Sequence, residues 1–314
     1  MDIVLKDVLD TISITTAVYF RTDFRTPYAI RVPAYERAAR FHMAVRGDCL
    51  VRIDDGTEAD VAEGDLVLIP NGASHVITCG REAPEILLDD ALCRTGYEGH
   101  GPFVFGPDSD EQGCQLVCGH FAFAKGADHP LLGLLPSIVH ISREKRRAMP
   151  LLDEMAAMVE RQVFNDDPDA AASFGRLSEA LFIEILRAAS QAVPRLATLF
   201  AAISDAQLGR ALAAIHADVG APWTVEALAG HAAMSRTRFA ERFRALVGMA
   251  PMAYLTEWRL QRGLKMLADG KLPVKTIAAQ VGYKSAAAFS RAFTQRFGER
   301  PSSVGRNEAA AAVD

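Results

Sequence analysis

Several features that mark common protein classes are missing from this sequence. The N-terminal segment MDIVLKDVLD has no basic start followed by an apolar run, so we expect no signal peptide. No stretch approaches the roughly 18 uninterrupted apolar residues of a membrane-spanning helix, so we expect no membrane contact. Phosphate-binding loops, dinucleotide fingerprints and nucleophile elbows are not found either, so none of the enzyme classes that they mark is indicated.

Cysteine is scarce, and the number of cysteines is odd. The five are Cys49, Cys79, Cys93, Cys114 and Cys118. An odd number in a chain without a secretion signal favours free thiols in a reducing compartment. We therefore expect a cytoplasmic protein.

The charge is divided unevenly along the chain. The 314 residues are enough for two ordinary domains, and the net charge is −5. Residues 205–306 contain 15 Lys and Arg against 7 Asp and Glu, whereas residues 1–204 contain 19 against 30. A basic segment joined to an acidic one predicts that only the C-terminal part meets a polyanion.

Residues 1 to about 125 have the pattern of short β-strands. The runs CLVRID, DLVLIP and HVITC are rich in Val, Ile and Leu and are bounded by turn residues. Asp-Gly within Asp54–Thr57 is a strong hairpin signal. Many short strands separated by turns favour a small barrel or a jelly roll.

The pattern then changes to helices. Apolar residues recur at helical spacing, as at Leu181 and Ile185, and the segment NDDPD separates two amphipathic helices into an antiparallel pair. Their apolar faces either pack on their own domain or form a dimer interface, and the sequence leaves both open. Residues 192–207 have the composition of a linker, in which Ser204 or Asp205 caps the next helix.

The C-terminal part contains one pattern twice. TVEALAGHAAMSRTRF and VKTIAAQVGYKSAAAF each predict a short helix, a tight turn and a second helix. Ser235, Phe239 and Phe243 recur 50 residues later as Ser285, Phe289 and Phe293. Each Ser is a natural N-cap, and each Phe pair, four residues apart, lies on the face that packs on the first helix. The second turn is one residue longer and contains Gly282, which suits a positive φ. This is the helix-turn-helix pattern, which reads duplex DNA.

Basic and polar side chains occupy the remaining faces of both second helices. Two such helices, fixed by the helix between them, can enter major-groove segments roughly 34 Å apart. Besides the caps Ser235 and Ser285, the outward candidates for DNA contact are Arg236, Thr237, Arg238, Glu241, Arg242, Arg244, Lys284 and Arg291. Arg296 is also expected to face outward. An ordinary pair of helical hairpins with solvated arginines is the alternative, and the duplication argues against it.

The segment from Trp223 to Val304 closely resembles the DNA-binding domain of the AraC/XylS transcriptional regulators, and VKTIAAQVGYKSAAAFSRAFTQRFGERP resembles that family's signature throughout. The resemblance implies seven helices, of which the third and the sixth read DNA. The base-facing positions that it implies are Thr237, Ala240 and Glu241, then Ala286, Ala287, Ala288 and Arg291. Alanine cannot hydrogen-bond a base, so we expect the second unit to read sequence mainly through Arg291.

The front half resembles a cupin over roughly residues 5–140. GDLVLIPNGASH is similar to the second cupin motif, in which Gly64 and Asp65 make a turn, Pro70 ends a strand and His75 points inward. The first motif is eroded and retains only His42. The segments CQLVCGHFAF and HPLLGLLPSIVHI resemble the end of the cupin sensor of one AraC subgroup.

Two hypotheses concern the interior of this cupin-like domain. His42, His75 and Cys118 form a plausible three-ligand set for Zn²⁺ or another divalent metal; alternatively, the histidines are buried polar residues satisfied by the backbone. Cys114 and Cys118 are candidates for redox sensing. They lie roughly 13 Å apart on a presumed strand, too far for a disulfide, so each would react as a single thiol. The alternative is inert buried thiols.

The fold class that follows is a multidomain α+β protein: a cupin-like β-barrel, a helical pair and an all-α domain with two helix-turn-helix units. We assign residues 1–140 to the sensor, 141–203 to a dimerisation or connector segment, 204–306 to DNA binding and 307–314 to a disordered tail. The predicted function is a sequence-specific transcriptional regulator whose cupin senses a small effector, a metal or an oxidant. The alternatives are a metal-dependent cupin enzyme and an architectural DNA binder.

The predicted partners follow from this assignment. They are promoter DNA, an unidentified effector, a second copy of the chain and, as a further candidate, RNA polymerase.

Overall fold

The computed structural model divides into two compact units. It describes residues 15–35, 37–79, 83–99, 101–107, 113–123, 135–164 and 170–304. The N-terminal unit comprises residues 14–123 and 130–193, and the main segment of the C-terminal unit begins at Pro194. The predicted tail at 307–314 and the segment NDDPD lie outside the described residues. No helix in the described part is long and apolar enough to cross a membrane.

The strands of the N-terminal unit form two sheets. They are β1 (Thr15–Phe24), β2 (Tyr28–Val32), β3 (Ala38–Arg46), β4 (Cys49–Ile53), β5 (Glu58–Val61), β6 (Leu66–Ile69), β7 (His75–Cys79), β8 (Ile86–Leu87), β9 (Phe103–Phe105), β10 (Gln115–Ala122) and β11 (Val139–Ile141). The strand orders are β11-β6-β3-β10-β1-β9 and β5-β4-β7-β2-β8. Side chains from both sheets share one apolar core, which includes Phe24, Val51, Ile77 and Leu116. The predicted strands at β4, β6 and β7 are therefore present.

One element of this unit was not expected. Residues 88–95 fall within the segment assigned entirely to strands, and that assignment is wrong here because they form helix α1 (Leu88–Thr95). Asp89 and Asp90 lie in its first turn and Gly96 ends it in the left-handed conformation, both ordinary helix signals. The helix buries Ala91 completely in the core.

Three helices follow the strands: α2 (Arg143–Arg147), α3 (Pro150–Phe164) and α4 (Ala170–Ser190). The apolar face of α4 packs on its own unit. Leu181, Phe182 and Ile185 are at most 3% exposed, and the Phe182 ring centroid lies 4.9 Å from that of Phe121 in β10. By contrast, Leu151 and Met158 on α3 remain 49% and 42% exposed.

The C-terminal unit is helical. Its elements are α5 (Pro194–Ser204), α6 (Leu208–Ala217), α7 (Val225–His231), α8 (Arg236–Val247), α9 (Pro251–Ala268), α10 (Val274–Gln280) and α11 (Ala286–Phe297). The linker predicted at 192–207 is wrong, because α5 occupies most of it. Pro194 starts this helix rather than breaking it, and Leu196 and Ala202 are fully buried.

Two helix-turn-helix units lie within this unit, α7 with α8 and α10 with α11. Ser235 and Ser285 accept hydrogen bonds from the backbone N–H groups of Arg238 and Ala288. All four phenylalanines of the repeat are fully buried, and Gly282 has a φ of +81°. Counted from α6, α8 is the third helix and α11 the sixth. Within the described part of the chain, α11 is followed by a turn at residues 301–304.

Candidate DNA-binding surface and sensor interior

The first reading helix, α8, exposes most of the candidates near its N-terminus. Ser235, Thr237, Glu241 and Arg244 are exposed, and Ala240 is half-buried. The exposed Arg236 forms an ion pair with Glu226 of α7 at 2.7 Å, in which both side chains are mostly in water. A pair of this kind contributes little to stability, so it leaves Arg236 available to a phosphate. Arg238 is exposed as well.

Arg242 has a structural partner that sequence reasoning missed. Its guanidinium forms an ion pair with the carboxylate of Asp205. That carboxylate also accepts the backbone N–H groups of Leu208 and Gln207 at 2.8 and 3.0 Å, so of the two predicted caps Asp205 serves the start of α6. The hydrogen bond from Leu208 is the main cause that lowers the pKa of Asp205, and Arg242 adds to it. Arg242 therefore holds α8 to the start of α6.

The second reading helix, α11, and the two residues before it contain only two of the charged candidates, Lys284 and Arg291. Lys284, Ser285, Ala287 and Arg291 are exposed, and Ala286 and Ala288 are half-buried.

The expectation that Arg296 also faces outward is wrong. Its Nε donates to both carboxylate oxygens of Glu257 on α9 at 2.9 Å. Its guanidinium carbon also lies 5.2 Å from the centre of the Phe297 ring. Arg296 therefore binds α11 to α9.

In the N-terminal unit, His42, His75 and Cys118 form a chain of hydrogen bonds. The Nδ1 atom of His42 lies 3.1 Å from Cys118 Sγ, and its Nε2 atom lies 2.8 Å from His75 Nε2. The Nδ1 atom of His75 lies 2.8 Å from the carbonyl oxygen of Ala73. Strand register explains the contact between the first two residues, because His42 in β3 lies directly opposite Cys118 in β10.

One assignment of protons satisfies the whole chain. The carbonyl of Ala73 only accepts, so His75 Nδ1 donates and His75 Nε2 accepts. His42 Nε2 then donates to His75, and His42 Nδ1 accepts the thiol proton of Cys118. Burial lowers the pKa of His75 to about 4 and that of His42 well below its usual value, so both imidazoles are neutral near pH 7. His75 is thus satisfied in part by the backbone, as the alternative expects, whereas His42 is satisfied by two side chains, Cys118 and His75.

These three side chains do not fit a metal ion as they are arranged. The two ring nitrogens of His42 point in different directions, one to Cys118 and the other to His75, so the three donors do not converge on one point. Within the described part of the chain, no group of three or more His, Cys, Asp or Glu side chains could hold a metal ion.

The thiols are equally enclosed. Cys114 is completely buried and Cys118 is 4% exposed. Burial raises the pKa of Cys118 above its usual value, with a smaller contribution from Cys114. A thiol that is both buried and protonated is a poor nucleophile, so this environment favours the inert alternative for Cys118. Complete burial also keeps Cys114 out of reach of a dissolved oxidant in this structure.

The space beside the hydrogen-bonded side chains of His42 and Cys118 is nearly filled. A cavity of about 20 Å³ lies among apolar side chains, Arg40, His42 and Cys118. That volume is enough for about one water molecule, whereas small-molecule sites usually measure about 300–1,000 Å³.

The acidic residue of the second cupin motif has a structural role that the sequence did not reveal. Asp65 is 5% exposed and accepts the backbone N–H groups of Arg143 and Ala62 at 2.7 and 3.1 Å. His140 Nε2 lies 2.7 Å from the same carboxylate. Asp65 thereby ties the turn before β6 to β11 and α2.

Comparisons with known proteins agree with both halves of this description. A family described as "Cupin" matches residues 4–191, and a family described as "Helix-turn-helix domain" matches residues 228–307. The HTH-type transcriptional regulator AlkR of Acinetobacter baylyi is 31% identical over 95% of this chain and 97% of its own length. A putative AraC-like transcription regulator of Streptomyces antibioticus is 31% identical over 83% of this chain and 85% of its own.

The comparisons also include a solved structure. The DNA-binding domain of AdpA in complex with a target DNA is 28% identical over 35% of this chain and 96% of that chain, with a TM-score of 0.32.

Proposed function

This chain belongs to the AraC-like family of transcriptional regulators, and from that premise we propose that it binds promoter DNA through α8 and α11 under the control of its cupin domain. The names of the relatives favour a DNA-binding regulator over a cupin enzyme. What we propose beyond family membership is the binding of an effector, a dimeric assembly and the individual DNA contacts.

One observation carries the proposal for DNA contact. Two helices of equal length, each capped by a Ser and ended by a left-handed Gly, expose their N-terminal halves on the basic part of the chain. We infer base contacts from Thr237, Ala240, Glu241, Ala286, Ala287, Ala288 and Arg291. We infer phosphate contacts from Ser235, Arg236, Arg238, Arg244, Lys284 and Ser285, with Arg242 weaker because it is paired.

Binding to duplex DNA tests this proposal directly. The full-length protein is incubated with a random duplex library, and the bound sequences are amplified over several rounds. We expect enrichment of one sequence and an affinity that falls steeply with salt, because phosphate contacts release counterions. If no sequence is enriched but binding is salt-dependent, the architectural alternative replaces the proposal; if no duplex is bound, the DNA-binding function itself is rejected.

An effector that binds beside His42 and Cys118 would have to enlarge the cavity there. The cavity of about 20 Å³ in this structure does not hold a metabolite. We therefore propose that an effector binds a second, more open arrangement of the N-terminal unit and shifts the population towards it. Protection of this unit from hydrogen exchange should then change when an effector is added.

The metal hypothesis and the redox hypothesis for the interior require different changes in this structure. A metal at His42, His75 and Cys118 needs His42 to turn away from one of its partners, and redox sensing through Cys114 or Cys118 needs the interior to open. Metal analysis of the purified protein tests the first, with His75→Ala as control. A normal reporter response to oxidants and electrophiles in a Cys118→Ser variant would rule out the second at that residue.

We further propose a cytoplasmic homodimer. Leu151 and Met158, seven residues apart on α3, form an exposed apolar pair within the segment 141–203 that the sequence assigns to dimerisation. The other assigned ranges are 1–140 for the sensor and 204–306 for DNA binding. A contact with RNA polymerase is compatible with a promoter-bound regulator.

A further inference from the structure

A groove of about 500 Å³ is lined by residues of α11, of the start of α10 and of the segment after α11. Its polar lining comes from α11 and from the segment that follows: Ser290, Arg291, Thr294, Gln295, Arg300 and Ser302. Val274 and Pro301 complete it. The lining includes two arginines and three hydroxyl groups and no acidic side chain, while most of the groove surface is apolar, so an anion would be held at the two arginine side chains.

The guanidinium groups of the two groove arginines are not used in ion pairs between the described residues. Arg291 and Arg300 are both exposed, and within the described part of the chain neither forms an ion pair. Arg296, on the same helix, is bound to Glu257 instead. The arginines near α11 therefore have two roles: Arg296 packs α11 against α9, whereas the side chains of Arg291 and Arg300 line the groove.

The internal repeat provides a comparison for this groove. The first unit has the same scaffold 50 residues earlier, with α8 in place of α11 and Pro251 in place of Pro301. At the positions of Arg300 and Arg291 it has Ala250 and Glu241. The helix-turn-helix scaffold therefore does not require basic residues there, and the second unit alone carries the pair.

We propose that this groove binds a phosphodiester of the DNA strand beside the bases that α11 reads, with Arg300 as its main contact. This inference rests on the proposed function. A guanidinium binds a phosphate through two parallel hydrogen bonds, and hydroxyl groups such as that of Ser302 are common phosphate donors. Arg291 lies at the boundary between the groove and the exposed half of α11, where it can reach a base edge.

The chemistry of α11 explains why this unit needs such a contact. Ala286, Ala287 and Ala288 cannot hydrogen-bond bases, so the second unit has few direct means of fixing its position in the major groove. Phosphate contacts set the register and orientation of a reading helix without reading sequence. Arg300 is thus a positioning residue, and its loss should weaken all duplexes alike.

The test uses the full-length protein, the duplex obtained by selection and a random-sequence duplex. Affinities are measured from about 50 to 200 mM salt for the wild type, Arg300→Ala and Arg300→Lys. We expect Arg300→Ala to weaken both duplexes by the same factor, of about 5 to 30, and to reduce the magnitude of the salt slope by about one. Arg300→Lys should retain most of the affinity, because a phosphate also accepts a point charge.

A matched control separates this effect from a general loss of charge. Arg147 is an exposed arginine of α2 in the N-terminal unit, and Arg147→Ala should leave the salt slope unchanged. If the wild type binds DNA while Arg300→Ala keeps its affinity and slope, the inference is wrong and the proposed function stands. A loss confined to the selected duplex also overturns it, because Arg300 would then read a base. Normal DNA binding by Arg300→Ala together with defective transcription also overturns the inference, because Arg300 would then contact an acidic protein partner. Failure of the wild type to bind any duplex rejects the proposed function instead.

Discussion

At the scale of single residues, the two arginines of α11 illustrate how position decides the role of one residue type. Arg291 is exposed, whereas Arg296, five residues later, holds Glu257. The sequence assigned both to the outer surface, because helical spacing shows which side of α11 a residue occupies but not which neighbouring helix lies on that side.

Arg291 gives a prediction about sequence recognition. Arg291→Ala should cost about 1–3 kcal/mol of binding free energy and relax specificity at one base pair, because the neighbouring alanines cannot replace a hydrogen bond to a base. Binding of duplexes substituted at each position of the selected site measures this. Equal weakening on every duplex would mean that Arg291 touches only phosphate.

The histidine chain gives a prediction about acid stability. A histidine whose pKa is lower in the folded state stabilises the fold above its unfolded pKa and loses that contribution as the pH falls. For His75, whose pKa falls from 6.5 to about 4, the free energy of unfolding should decrease by up to about 3 kcal/mol over that range. Urea unfolding of the wild type and His75→Gln at pH 7 and near pH 4.5 measures the difference. The variant should lose less stability than the wild type on acidification; equal losses would contradict this prediction.

At the scale of elements, the helix ends were the most readable part of the sequence. Ser235 and Ser285 cap α8 and α11 as their spacing predicts, since a side-chain oxygen beside three free N–H groups acts over one turn of the chain. The sequence does not distinguish α5 from a linker, because Pro194 suits a connecting segment and the first turn of a helix equally well.

The caps give a prediction about local stability. Ser285→Ala should reduce the free energy of unfolding by about 1 kcal/mol, because the N–H of Ala288 loses its acceptor. Ser285→Asp is the matched control: its carboxylate can still accept the N–H of Ala288, so it should cost only a few tenths of a kcal/mol. Denaturant unfolding that follows the C-terminal unit distinguishes them, and equal losses in the two variants would show that the cap hydrogen bond is unimportant.

At the scale of the whole molecule, the charge difference between the two parts of the chain matches the division into two units. The acidic part contains the sheets, helices α1 to α4 and also α5 of the C-terminal unit, and the basic part carries the helix-turn-helix units. This division suits a regulator in which one unit meets a polyanion and the other does not.

The oligomeric state of the whole molecule gives a further prediction. Replacing both Leu151 and Met158 with Glu should convert the dimer to a monomer, because it places charges in the apolar centre of the proposed interface. Leu272→Glu is the control: Leu272 is 39% exposed but lies in the C-terminal unit. Sedimentation equilibrium measures the mass of each. A dimer that survives the double substitution is held by another surface.

The sequence by itself determined the duplicated reading units, their caps and their buried phenylalanines, because these depend on spacing along one helix or one turn. The family followed from the resemblance of the second unit to a known signature. It also identified His42, His75 and Cys118 as interior residues. Only the tertiary structure decided that these three form a hydrogen-bonded chain, that Arg242 and Arg296 serve packing, and that Arg291 and Arg300 meet in one groove. Each of these outcomes depends on the distance between side chains from different elements, and that distance is set by how the elements pack.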